Sequence, residues 1–169
     1  DRVVTANSAP CGSCFFCGKE EWNLCENLKF LNGAYADYIR IPSEIVERNL
    51  YKIPDSLSFR DAALTEPLAC VLHCIDRIGI KPGETICILG AGTCGLLFTQ
   101  LASLYGGRTV VVGRSPDKLS AAKKMGADKV VRSLDENFRK EIRNFSDGGY
   151  GPDIVVDAIG KPETWQLAV

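Results

Sequence analysis

Apolar and polar positions are spaced differently in the two parts of the chain. Up to about residue 66 the apolar residues come in short runs divided by loops. "GAYADYIRIP", starting at Gly33, reads as a strand ended by Pro42, and "NLYKIP" reads as a second short strand ended by Pro54. Ser58, with Asp61 three residues later, marks the start of a helix, Ser58 being its N-cap.

The pattern changes between residues 66 and 85. From Lys81 onward, short β-branched runs alternate with helical stretches. "KPG" is a turn. A strand is predicted over Thr85–Leu89, a helix over 94–105 and a second buried strand over 109–112. Ser115 and Pro116 open another helix that runs through Met125 to Gly126, with Leu119, Ala122 and Met125 on one face. A strand over Lys129–Val131, a helix over 135–145 and an apolar strand over 153–159 complete the series. This alternation predicts an α/β fold, a doubly wound parallel sheet of the Rossmann type with helices on both faces.

Charge and composition narrow the function classes. The 169 residues carry a formal net charge of −1, so the basic excess of a nucleic-acid binder is missing. No apolar run reaches the roughly 18 residues needed to cross a bilayer. "DRVVTANSAP" at the N-terminus has neither the basic region nor the apolar stretch of a signal peptide. The expected location is therefore the reducing cytoplasm. With no initiating Met, the sequence is expected to start inside a longer protein.

Four of the eight cysteines, Cys11, Cys14, Cys17 and Cys25, fall in one short stretch, "CGSCFFCGKEEWNLC". The others (Cys70, Cys74, Cys87 and Cys94) lie in apolar segments and read as small core hydrophobes. A C-x2-C-x2-C-x7-C run can wrap one zinc ion tetrahedrally, and four thiolates close its coordination sphere, which makes the metal structural. An iron–sulfur cluster fits less well, because the ferredoxin run ends in Cys-Pro and here Glu26 follows Cys25. A thioredoxin-type CxxC would open a helix, whereas Pro10, Gly12 and Gly18 suggest a loop.

"ILGAGTCG" has Gly90, Gly92 and Gly95 in G-x-G-x-x-G spacing between a strand and a helix. Gly90 serves the tight turn, Gly92 lets backbone approach a pyrophosphate, and Gly95 allows close helix–strand packing. Thr93 and Cys94 open the helix whose free N–H groups face the phosphates. The next strand ends in Gly113, Arg114 and Ser115, with no acid there to hold ribose hydroxyls. Arg114 can pair with a 2′-phosphate, which favours NADP over NAD. Asp117 is read as an acid favouring the next helix N-terminus.

With these motifs placed, the chain resembles the zinc-dependent medium-chain alcohol dehydrogenases, in particular their polyol (sorbitol-like) and threonine dehydrogenase branch. The stretches that carry the resemblance are the four-cysteine lobe, "NGAYADYIRIP", "YKIPDSLSFRDAALTEPLACVLHCIDR", "GETICILGAGTCG" and "PDIVVDAIGKPE", in family order. It implies that residues 1–67 end a GroES-like, mostly-β catalytic domain carrying the structural zinc lobe, and that 68–169 are most of a Rossmann domain. It also implies reversible oxidation of a secondary alcohol (polyol, sugar or amino-alcohol type) to a ketone, with hydride passing to a nicotinamide. In that family a catalytic zinc is bound by a Cys and a His-Glu pair from an upstream segment, which these residues do not contain. Glu66 in "TEPLA" matches the acid placed at or near that zinc; on the residues alone it is a carboxylate capping a helix before Pro67.

His73, the only histidine, reads as a packed helical residue, and Cys70 and Cys74 as core. Asp157 and Gly160 are expected along the cofactor's path, Gly160 permitting close backbone approach. A homo-dimer or tetramer acting on a small alcohol is expected, with no nucleic-acid or membrane partner. A zinc-stapled NADP-binding protein without catalytic zinc, acting as a sensor or structural module, is the alternative from another class. A quinone-reductase-like enzyme is a further one, disfavoured by the four-cysteine lobe.

Overall fold

The computed structural model describes residues 1–132 and 136–168, and divides into two units, one of Asp1–Glu66 and one from Pro67 onward.

The first unit is built from short elements. β1 (Val3–Thr5), β2 (Ser8–Ala9), helix α1 (Phe15–Gly18), a 3-10 turn at Trp22–Leu24, β3 (Lys29–Phe30), α2 (Ser43–Asn49), β4 (Leu50–Lys52) and α3 (Phe59–Ala62) come in that order. β1 pairs antiparallel with β4, Val3 opposite Lys52, and β2 pairs antiparallel with β3. The Asn49 amide donates to Ser8 O at 2.6 Å, tying the end of α2 to β2. The buried apolar set is thin, mainly Ala9, Ile45, Ile53 and Ala62. Ser58 caps α3 as expected: its hydroxyl accepts from Asp61 N at 3.1 Å and donates to the Asp61 carboxylate at 2.6 Å.

No strand forms between Gly33 and Pro42. A strand needs a partner ladder and a face to bury, and this stretch has neither: Tyr35 and Tyr38 stand fully exposed.

The second unit takes in α4 (Thr65–Ile78) from Pro67 onward, and then β5 (Thr85–Leu89), α5 (Thr93–Leu104), β6 (Arg108–Val112), α6 (Pro116–Lys124), β7 (Lys129–Val131), α7 (Glu136–Phe145), β8 (Ile154–Asp157) and α8 (Pro162–Ala168) alternate. The four strands form one parallel sheet in the order β7-β6-β5-β8, so the chain grows outward from β5 and then returns to its other side. Alternate side chains feed two apolar layers. Ile86, Ile88 and Val111 pack with Val71 and Ile75 of α4, Phe98 of α5 and Leu119 of α6. Cys87, Leu89, Val110 and Val112 pack with Phe138 and Ile142 of α7. Helices therefore cover both faces, and every residue of β5 is buried.

Acids pin the strand starts. Asp153 accepts from Thr85 N and Asp128 from Thr109 N, each at 2.7 Å, so the residue before β8 and the residue before β7 each fix a neighbouring strand's register.

Several side-chain expectations are corrected. Cys70, Cys74 and His73 are exposed on α4, because the buried stripe of that helix is Val71 and Ile75, one position further along. Cys94 is exposed too, and only Cys87 of those four cysteines is core. Met125 lies beyond the end of α6 and is exposed, while Leu119 and Ala122 are buried as expected. β8 stops at Asp157 rather than 159, where the backbone turns. The expected start of α7 at Asp135 lies outside the described residues. Among the described residues no helix is long and apolar enough to cross a membrane.

Candidate functional site

The cysteine stretch folds back on itself. The loop expected here is corrected: Cys14 is the N-cap of the one-turn helix α1, Cys17 lies within that helix, and Cys25 closes the 3-10 turn and accepts from Cys11 N at 3.2 Å. All four sulfurs come within 4.8 Å of one another, with Cys14–Cys17 at 3.5 Å, Cys11–Cys17 at 3.9 Å and Cys14–Cys25 at 4.0 Å. Four sulfurs at about 2.3 Å from a zinc ion would be separated by about 3.8 Å, so the donor set and its spacing suit one tetrahedral ion.

The local field is uneven. The Ser13 backbone N–H, then its hydroxyl, hold the Cys11 thiol down at about 6. The Cys17 backbone N–H lowers Cys14. Burial, then the hydrogen bond its thiol donates toward Cys14, pushes Cys17 up to about 11. Two thiols of the set thus favour the thiolate form that a metal requires, and one has to be driven into it.

The glycine loop lies at the carboxyl ends of the parallel strands. A cleft of about 310 Å³ opens there. Its walls are set by three strand ends: Gly90, Ala91 and Gly92 after β5, Gly113, Arg114 and Ser115 after β6, and Ala158 and Ile159 after β8. Ligands of open α/β sheets bind at this place in the topology.

Two of the motif glycines show the turn and the close packing that their spacing predicts. Gly90 has φ +111°, a conformation that side chains rarely allow. A β-carbon on Gly95 would stand 1.8 Å from the Gly90 carbonyl oxygen, so α5 can approach β5 only with glycine there. Gly92, the N-cap of α5, has open space where its β-carbon would be. Thr93 and Cys94 form the exposed first turn, whose N–H groups have no intrahelical acceptors. Gly160 is next to the cleft residue Ile159, at φ +73°.

Five of the residues singled out in the sequence therefore share one cleft: Gly90, Gly92, Gly113, Arg114 and Ser115. Lys118 on its wall was missed. Its signal was a cation in the first turn of α6, where the helix dipole favours anions. Asp117 is exposed in that same turn and does not line the cleft. Glu66 is exposed in the first turn of α4. Among the described residues only the four cysteines form a group of three or more metal-ligating side chains, so Glu66 is not joined by such a set.

Comparison with known proteins bears on both features. The family model described as "Zinc-binding dehydrogenase" matches residues 93–169. The sorbitol dehydrogenase of Bacillus subtilis (strain 168) is 34% identical over 175 residues, covering 100% of this chain and 48% of that protein. A zinc-binding dehydrogenase from Sinorhizobium meliloti 1021, solved bound to NADP, superposes with a TM-score of 0.83 at 31% identity, over 98% of this chain and 49% of that one. An NAD-dependent alcohol dehydrogenase superposes with a TM-score of 0.81 at 33% identity, over 94% of this chain and 47% of that one. The chain thus spans about half the length of the curated relatives it matches.

Proposed function

This chain belongs to the zinc-dependent medium-chain alcohol dehydrogenase superfamily, in its polyol branch, and from that premise we propose that the whole protein is an NAD(P)-linked oxidoreductase interconverting a secondary alcohol of polyol type and its ketone. The observation that carries the reading is the cleft over Gly90 and Gly92, set at the carboxyl ends of β5, β6 and β8.

In this reading Gly92 and the N–H groups opening α5 receive the pyrophosphate, and Gly113, Arg114 and Ser115 receive the adenosine end. Arg114 and Lys118 supply two cations and no residue of the cleft wall supplies an acid, which favours NADP over NAD. Cys11, Cys14, Cys17 and Cys25 hold a structural zinc, whose four positions they fill. Glu66 belongs at or beside a second, catalytic zinc, completed by ligands from outside these residues. A zinc ion there supplies Lewis acidity that lowers the alcohol's pKa.

The test is metal analysis of the full-length protein combined with alcohol-dependent reduction of NADP and NAD, followed by nicotinamide absorbance. Two zinc ions per chain and polyol-dependent reduction are expected. One zinc ion with no alcohol-dependent reduction would instead indicate a zinc-stapled dinucleotide-binding protein. The 169 residues alone should hold one zinc ion and show no turnover.

A further inference from the structure

β8 ends at Asp157, and both oxygens of that carboxylate hold the turn between this strand and α8. Oδ1 accepts from the backbone N–H of Ile159 at 2.9 Å and of Gly160 at 3.3 Å. Oδ2 shares the single Thr164 hydroxyl hydrogen with Lys161 O, each at 2.9 Å, and that hydroxyl in turn accepts from Lys161 N at 3.2 Å. Thr164 is buried, 4% exposed, at the start of α8. One carboxylate thus fastens the 158–160 turn at one end to the strand and at the other to the helix.

The turn it holds is a wall of the cleft. Ile159 packs so closely on the glycine loop that a β-carbon on Gly90 would come within 2.7 Å of its Cγ1. Sheet order then determines which part of a ligand meets this wall. β5, with the glycine loop, lies between β6, which leads to Arg114, and β8, which leads to Ile159. A dinucleotide crossing the loop by its pyrophosphate, with its adenosine end at Arg114, has its other half at the 158–160 turn.

We propose that Asp157 is a positioning residue for the nicotinamide half of the cofactor, holding Ile159 and Gly160 in place without itself reaching the adenosine end. The proposal rests on the reading of the cleft as a dinucleotide site. Its consequence is selective: loosening the turn costs affinity for the whole dinucleotide and spares fragments that stop at the pyrophosphate.

The experiment measures dissociation constants of the full-length protein for NADPH, NADH and the adenosine-end probes 2′,5′-ADP and ADP, in wild type, Asp157→Ala, Asp157→Asn and Thr164→Val. Removing a carboxylate that accepts from three donors should weaken the preferred dinucleotide about tenfold in Asp157→Ala. Both adenosine-end probes should stay within about twofold, since their contacts lie across the glycine loop. Asp157→Asn keeps one oxygen for the two backbone donors and should recover most of the loss. Thr164→Val, outside the cleft, should show the same selective pattern at about threefold and decides the matter if Asp157→Ala does not fold. Equal losses for dinucleotide and adenosine-end probes, or no loss in either variant, would overturn the assignment. A wild-type protein that binds neither NADPH nor NADH would bring down the cofactor reading itself.

Discussion

The carbonyl oxygen of Gly90 occupies the place where a β-carbon on Gly95 would have to stand, 1.8 Å from its ideal position. Backbone cannot swing aside as a side-chain end can, so Gly95→Ala should separate α5 from β5. The expected cost is about 3 kcal/mol, the upper part of the range for overpacking, together with loss of dinucleotide binding. Gly92→Ala makes the contrast. Its φ of −82° suits alanine, and its β-carbon meets nothing within 4 Å. That variant should melt within a degree or two of wild type yet bind the dinucleotide about tenfold more weakly, because the added methyl stands where a phosphate would approach. Thermal melts and cofactor titration of the two variants separate a packing glycine from a binding one.

Thiol reactivity should fall into three classes. Cys70, Cys74 and Cys94 are exposed and should be labelled quickly in the zinc-loaded protein. Cys11, Cys14, Cys17 and Cys25 should react only after a chelator removes the metal. Cys87, 2% exposed inside β5, should react only on unfolding. A thiol titration with mass-spectrometric mapping reads this directly; rapid labelling of the four-cysteine set in metal-replete protein would contradict the closed zinc site.

Cofactor choice should turn on the two cations of the cleft. Arg114→Ala should lower affinity for NADPH about tenfold and leave NADH within about twofold, as expected for loss of a charge-assisted pair with a 2′-phosphate. Lys118→Ala should do the same less strongly, since an ammonium lacks the bidentate fork. Paired titrations with the two reduced cofactors check it, and equal losses for both would remove the case for NADP.

Alkaline stability should carry a contribution from Cys87. Burial pushes its thiol from the ordinary 9.0 up to about 12. The unfolded chain releases that proton first, so the contribution is complete below about pH 9 and is lost as pH rises toward 12, by about 1.4 kcal/mol per pH unit across that window. Cys87→Val should therefore lose less stability between pH 8 and pH 10 than wild type in denaturant titrations. An unchanged slope would mean that another group dominates.

The second unit was the more legible because its two central strands, β5 and β6, are buried on both faces. Continuous β-branched runs such as Thr85–Leu89 and 109–112 identify themselves without a partner in view, and glycine spacing placed the loop at the end of β5. The reading of "GAYADYIRIP" as a strand was misleading for the opposite reason: strand-type residues ended by a proline do not supply a neighbour to pair with. On α4, treating Cys70 and Cys74 as apolar selected the wrong stripe, because a cysteine's chemistry does not reveal which side of an amphipathic helix it takes. Val71 and Ile75 were the better guide. The contribution of β8 to the cleft was legible only in part. Asp157 and Gly160 were singled out, but Ile159 lines the site through a contact with Gly90 far away in sequence.

The return of the chain to pair β8 beside β5 also sets a schedule for synthesis. Thr85 waits for Asp153, 68 residues later, before its backbone N–H is satisfied. On the ribosome β5, β6 and β7 emerge and can pair in turn, while β5 still presents a bare and wholly buried-type edge. Such an edge invites pairing with another chain until it is covered. A ligand of the cleft could not shield it meanwhile, since one wall of the cleft has not yet been translated. β8 is thus both the cover of that edge of β5 and the strand that leads into one wall of the cleft, and a nascent chain halted before Ile154 has neither.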